Sequence, residues 1–270
     1  MSHSDSEISQ RLALALSAAE ETGRATLALF QQDHLEVERK ADNSPVTIAD
    51  RQAEQLLRGR IAAAFPHDAI LGEEYGAQTG TSPYRWILDP IDGTKSFVRG
   101  VPLYGTMVGV ECDGRSVVGV VCIPGLDECV YAAVGAGAWH RRGTAAPRLA
   151  RVSSCPRLNE GLFLTSQIDL FAARGASEAF LLLQRAAAVT RTWGDCYGYL
   201  LVATGRAEVM VDANMCVWDA AALQPILEEA GGAFTDWQGR PTIHSGEGIG
   251  CNGLVLEEVL AVTRRFPKPQ

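Results

Sequence analysis

The stretch Trp86–Phe97, "WILDPIDGTKSF", decides how the rest of the chain is read. An apolar run ends in two aspartates, Asp89 and Asp92, with Pro90 and Ile91 between them and Gly93 and Thr94 directly behind. Two carboxylates ~5 Å apart repel by roughly 3 kcal/mol at an effective dielectric of about 20. A cation between them is the simplest resolution. The run "RWIL" reads as a strand that delivers Asp89 at its C-terminal end. Pro90 then stops ladder pairing, and the turn brings Asp92 to the same cavity. Gly93 lets backbone come close to a ligand, and a short helix starting at Thr94 would offer N–H groups to a phosphate oxygen. The alternative at this point is an ordinary strand-end turn with a capping aspartate.

Composition narrows the classes. With 270 residues, 47% of them hydrophobic, the chain can bury a sizeable core in one large domain or two halves. A formal charge of −8 without clustered Lys and Arg argues against nucleic acid as a partner and leaves divalent cations as the natural counter-charge. The N-terminal "MSHSDSEISQ" is polar, and no apolar run approaches the roughly 18 residues that cross a bilayer. No membrane partner and a cytoplasmic location are therefore expected. The seven cysteines form no CxxC pair and read as reduced, mostly packed thiols.

Helices and strands alternate along the chain without an internal repeat. Helical spacing runs from Ile8 to about Phe30 and from Thr47 to about Phe65. After the strand at Arg85–Leu88, three short runs (Gly105–Cys112, Ser116–Ile123 and Glu128–Val134) read as an antiparallel meander, and "AVGAGAW" reads as a hairpin turn. Beyond a soft boundary near residue 150, the pattern predicts helices at Ser177–Val189, Asp195–Thr204 and Asp219–Ala230, with a strand at Glu208–Val211. Pro225 predicts a kink in the last of these.

Three more acidic signals stand away from the opening stretch. "ILGEEYG" puts Glu73 and Glu74 in a loop after Gly72, where adjacent buried acids need a cation or a partner. "MCVWDAAAL" puts Asp219 at a helix start, and "SPVTIAD" spaces Thr47 and Asp50 as a capping box. Each has a plain reading, as solvated surface or as a cap.

Taken together and in this order, "GEEYG", "DPIDGTKSF" and "WDAAAL…EEAGG" resemble the inositol monophosphatase superfamily of magnesium-dependent phosphatases, over almost the whole chain. "DGTKSFVRGVPLYGTMVGV" and "WGDCYGYLLVATGRAEVMVD" are most similar to its histidinol-phosphate phosphatase branch. The resemblance implies a layered α/β sugar-phosphatase fold, with two mixed sheets interleaved with helices as alternating α-β-α-β-α layers. Residues 1–150 would carry most metal ligands, and residues 151–270 would carry Asp219 and the substrate-recognition residues.

Carried over position by position, the resemblance assigns Glu73, Asp89 and the Ile91 carbonyl to one Mg²⁺ and Asp89, Asp92 and Asp219 to a second. Glu73 also touches a third, weaker ion. Oxygen donors alone suit Mg²⁺ or Mn²⁺ and not zinc. Thr94, Asp50 and Glu73 become the catalytic residues that orient and deprotonate water. The Gly93 and Thr94 amides hold phosphate, and Lys40 and Glu74 support the acidic cluster. Asp92, Gly194, Asp195 and Asp212 take the substrate alcohol. A homodimer is also implied.

The reaction expected is hydrolysis of a small phosphate monoester, histidinol phosphate foremost, by activated water and without a covalent intermediate. Inositol monophosphate, 3′-phosphoadenosine phosphate and fructose bisphosphate are the alternative substrates. A D-x-D nucleophile, a G-x-S-x-G elbow, an H-E-x-x-H helix and a Walker A loop are all missing from the sequence. A metal-binding regulatory protein without turnover is the alternative from another class. Thr94, Asp50 and the Asp-Gly-Thr amides weigh against it, because metal storage does not require them.

Overall fold

The computed structural model describes residues 5–32, 36–40 and 44–268. Its frame is an eight-stranded sheet with spatial order 148–149, 137–142, 128–133, 115–123, 105–112, 84–92, 69–72, 76–78. Both faces of this sheet are buried, and period-two alternation divides its side chains between two cores. Trp86, Leu88, Val108, Val110, Val118 and Val120 face helices α1 (Asp5–Leu27) and α2 (Ile48–Ala64). Ile87, Met107, Val121 and Ile123 face the opposite way, onto the helices at Asp195–Ala203, Val217–Ala221 and Leu223–Glu229.

Those helices are covered on their far side by a mixed five-stranded sheet, ordered 189–191, 162–164, 209–212, 248–251, 233–235. Leu164 and Met210 point back to the shared core, whereas Phe163, Val209 and Val211 point out to a third core with Phe180, Leu183, Val259 and Leu260. The result is the α-β-α-β-α layering that the resemblance implies.

Two features of the first sheet position the site. Strand Ala69–Gly72 runs parallel to strand Tyr84–Asp92, with Gly72 level with Leu88. Glu73, just past the end of its strand, therefore stands beside Asp89. Strand Tyr84–Asp92 does not stop at Pro90, as the sequence suggests, but carries an irregularity. Asp89 pairs with Met107 and Asp92 with Gly105, so one extra residue is accommodated between them. In a regular strand, residues three apart point to opposite faces; the bulge removes that opposition and turns both carboxylates into one cavity. Pro90 has no N–H to lose, and its carbonyl accepts a hydrogen bond from Thr106 Oγ1 at 3.0 Å.

Several sequence readings need adjustment. The helix expected at Ser177–Val189 ends at Ala186, and Val189–Arg191 forms an edge strand instead. The helix expected at Asp219–Ala230 begins earlier, at Val217, and is interrupted at Ala222. Pro225 cannot donate to the Ala221 carbonyl, which takes a hydrogen bond from Ser116 Oγ at 2.5 Å instead. Cys122 and Cys129 face each other across neighbouring strands, with Cα atoms 4.2 Å apart, and form a disulfide. The expectation of seven reduced thiols is therefore wrong for this pair, because the residues are directly opposed in register. Cys112, Cys196 and Cys251 are buried thiols.

Candidate active site

A cavity of about 210 Å³ opens where the strand end at Asp92, helix α3 (Thr94–Val98) and the C-terminal sheet meet. Glu73, Asp89, Ile91, Asp92, Gly93, Thr94, Asp195, Asp212 and Asp219 all line it. Asp89, Asp92 and Asp219 each place a carboxylate oxygen within 4.8 Å of the other two.

Each of these three acids has one oxygen tied to a backbone amide. Asp89 Oδ1 accepts from Ile91 N at 3.1 Å, and Asp92 Oδ2 accepts from Cys196 N at 2.5 Å. Asp219 sits in the first turn of helix Val217–Ala221, where its Oδ2 accepts from Cys216 N at 2.6 Å. Asp50 follows the same rule in the predicted capping box of α2, with Oδ2 accepting from Thr47 N and Thr47 Oγ1 at 2.7 and 2.6 Å. Its Oδ1 faces Thr94 Oγ1 at 3.2 Å, and the same hydroxyl lies 3.0 Å from the Ile91 carbonyl. Gly93 begins α3 at φ 83°, a conformation that favours glycine, and a Cβ there would meet Asp195 Oδ2.

The acids repel one another in a poorly solvated place. Burial, followed by the charges of Glu73, Asp92 and Asp219, pushes the Asp89 carboxyl well above the usual range. Asp92 is raised by burial and by Asp195 and Asp219. Asp219 is pushed up to about 7, mainly by burial and then by the charge of Glu73. Glu73 and Asp50 are raised by burial as well. Lys40 Nζ donates to Glu73 Oε1 at 2.7 Å and Glu74 Oε1 at 2.6 Å. Burial disfavours its charge, but these two bonds outweigh burial and raise its pKa. Glu74 is raised to about 7 by burial. Clustered carboxylate oxygens from Asp89, Asp92 and Asp219, with Glu73 and Ile91 lining the same cavity and this much mutual repulsion, fit a hard divalent cation.

A second wall of the cavity is built by the C-terminal sheet and the helix that follows Gly194. Gly194 caps helix Asp195–Ala203, and a Cβ on it would run into Ser166. Asp195 takes φ 52°, unusual for a residue with a side chain, and its N–H donates to Ser166 Oγ at 2.8 Å. Burial and the charge of Asp212 raise Asp195 to about 6. Asp212 ends its strand with Oδ1 accepting from Ser166 N and Oδ2 from Tyr199 OH, both at 3.0 Å. Ser166, Tyr199 and the Lys95–Gln167 contact of 2.5 Å across the mouth carry no sequence motif and escape a reading of the sequence. Only the topology brings residues 166 and 195 together.

Comparison with known proteins gives a consistent picture. A histidinol-phosphatase of Chlorobaculum parvum is 42% identical over 238 residues, covering 88% of this chain and 90% of its own. A histidinol-phosphatase of Streptomyces coelicolor is 38% identical, covering 92% and 95%. Among solved structures, the extragenic suppressor protein suhB from Bartonella henselae superposes with a TM-score of 0.87 at 26% identity, covering 95% of this chain and 99% of that one. The model of the inositol monophosphatase family matches residues 7–267, and the chain belongs to that family.

Proposed function

We propose that this chain is a Mg²⁺-dependent phosphomonoesterase that hydrolyses histidinol phosphate to histidinol and phosphate. The observation that carries the reading is the convergence of Asp89, Asp92 and Asp219 within 4.8 Å at the floor of the cavity, beside the Thr94–Asp50 pair. Glu73, Asp89 and the Ile91 carbonyl would hold one ion and Asp89, Asp92 and Asp219 another; Mn²⁺ would suit the same donors. Glu73 is also the contact for any third ion. When bound, such ions neutralise phosphoryl oxygens and make water more acidic.

The protein's own groups do the rest. The Gly93 and Thr94 amides orient the phosphate. The Thr94 hydroxyl gives its hydrogen to Ile91 O or Asp50 Oδ1, leaving its lone pairs to accept from the attacking water. Asp50 and Glu73 are then the nearby carboxylates able to receive the proton. Lys40 steadies Glu73 and Glu74. Gly194 leaves room for the ledge on which Asp195 stands, and Asp195 and Asp212 meet the ammonium and imidazole of the alcohol through charge-assisted hydrogen bonds. Inositol offers only neutral hydroxyls, which favours histidinol phosphate over the inositol phosphate reading. Two copies form the working unit, as the family resemblance implies. Among the described residues, no helix is long and apolar enough to cross a membrane.

Asp89→Asn removes the charge shared by both ions and should leave less than about a tenth of wild-type turnover at saturating Mg²⁺. Retention of more activity would sink the bridging role. Asp195→Asn and Asp212→Asn should each cost about ten- to a hundredfold in kcat/KM on histidinol phosphate and far less on a small neutral-alcohol phosphate. Equal losses on both substrates would reduce the two aspartates to structural supports. Sedimentation equilibrium at micromolar concentration should give a dimer; a monomer would remove that claim.

The raised carboxyls also set a pH dependence. Between the unfolded carboxylate range near 4 and the folded values of about 7 at Asp219 and Glu74, the metal-free fold binds more protons than the unfolded chain. The site's contribution to stability therefore falls as pH rises through that window. Mg²⁺ needs the acids deprotonated, so its stabilising effect grows over the same interval. The rise in Tm on adding Mg²⁺ should be small near pH 5 and large near pH 8. An equal rise at both would show that these acids do not meet the ion.

A further inference from the structure

Glu73 differs from the other metal-site acids. Among the described residues, no backbone amide donates to its carboxylate, which accepts from Lys40 Nζ at 2.7 Å. Its placement therefore depends on how the backbone of its short loop is held. That loop joins strand Ala69–Gly72 to strand Gly76–Gln78, and its three amides have definite partners. Glu73 N donates to Leu88 O at 3.2 Å. Glu74 N and Tyr75 N both donate to Glu54, at 2.6 Å to Oε2 and 3.2 Å to Oε1.

Glu54 is fully buried on α2, one turn after Asp50. Its Oε1 also accepts from Arg58 Nε at 2.7 Å, and Arg58 reaches on to the Gly76 carbonyl. Gln55 Nε2 donates to Tyr75 OH at 2.7 Å from the same helix. On the other side, the carboxylate lies against Gly72, where any Cβ would collide with both of its oxygens. A buried glutamate with three donors closed around its carboxylate and a glycine beneath it is more than a helix needs for packing.

We propose that Glu54 is a positioning residue for the metal centre: its carboxylate fixes the backbone of Glu73–Tyr75 and so sets where the Glu73 side chain stands. This rests on the reading of Glu73 as a metal ligand. Because Asp50 and Glu54 sit at i and i+4, α2 holds the Thr94 hydroxyl with one carboxylate and the Glu73 loop with the next. One rigid helix thereby fixes both sides of the water-activating group.

The test is calorimetric titration of the full chain with Mg²⁺ alone, for wild type, Glu54→Gln, Gly72→Ala and Glu73→Gln, together with the Tm of each metal-free protein. In Glu54→Gln an amide NH₂ must face either Glu74 N–H or the Arg58 and Tyr75 donors, so the loop shifts. Mg²⁺ affinity should fall about tenfold, the range seen when groups supporting a ligand are removed. Gly72→Ala pushes the same carboxylate from below and should give a similar loss, which keeps the test decisive if Glu54→Gln does not fold. A carboxylate that only stabilised the fold would lower the Tm and leave the folded protein's Mg²⁺ affinity within twofold of wild type. That result, with Glu73→Gln weakened, would overturn the proposal. Unchanged affinity in Glu73→Gln would instead overturn the ligand reading beneath it.

Discussion

Mutual repulsion among buried carboxylates is the constraint around which this molecule is arranged. Asp89, Asp92 and Asp219 stand within 4.8 Å of one another, Asp89 buried and the other two half-buried, and each would be more comfortable protonated or in water. Nothing in the local sequence relieves that repulsion. It is tolerated because three separate parts of the fold hold the groups in place: a bulged strand end, the first turn of a helix 130 residues downstream, and a loop set beside the strand by parallel pairing. A divalent cation held by these acids, as proposed above, would offset the cost, so affinity for the ion and repulsion in its absence would have one origin.

The five layers matter to the site because they make that placement rigid. Alternating side chains of the eight-stranded sheet are buried on both faces, against α1 and α2 on one side and the inner helices on the other. A sheet clamped in this way cannot slide by one residue without turning every valine of the meander to the wrong core. Asp89 is therefore fixed to the register of the whole sheet. Asp219 is fixed through the inner helices, whose alanines pack close to the strands: a Cβ on Gly109 or Gly119 would strike Ala221 or Ala222.

The sequence makes the floor of the site legible and leaves its walls obscure. Asp89, Asp92, Gly93 and Thr94 lie in one stretch, and Thr47 and Asp50 announce a cap that exists as read. The meander strands fall within a residue or so of their expected ends, because Asp-Gly turns and β-branched alternation are strong local signals. Strand Ala69–Gly72 is too short to show a period, and Val189–Arg191 continues an apolar helical pattern until the chain turns into the sheet. Ser166, Tyr199 and Glu54 were invisible for another reason: their roles come from partners 29, 13 and 20 residues away in hydrogen bonds that only the folded chain creates.

Capping and catalysis look like rival readings of the same acids when the sequence is taken piece by piece. The geometry leaves room for both, because a carboxylate has two oxygens. Asp50 caps α2 with Oδ2 and turns Oδ1 to Thr94; Asp219 takes the Cys216 amide on Oδ2 within the first turn of its helix and still lines the cavity. Asp89 and Asp92 divide their oxygens likewise between a backbone N–H and the shared space. The backbone hydrogen bond lowers the conformational freedom of each acid before any ligand arrives, so less order has to be imposed on binding. A cap at the edge of a cavity is thus a ready precursor of a metal ligand: the amide fixes one oxygen, and the other is left aimed at whatever the cavity admits.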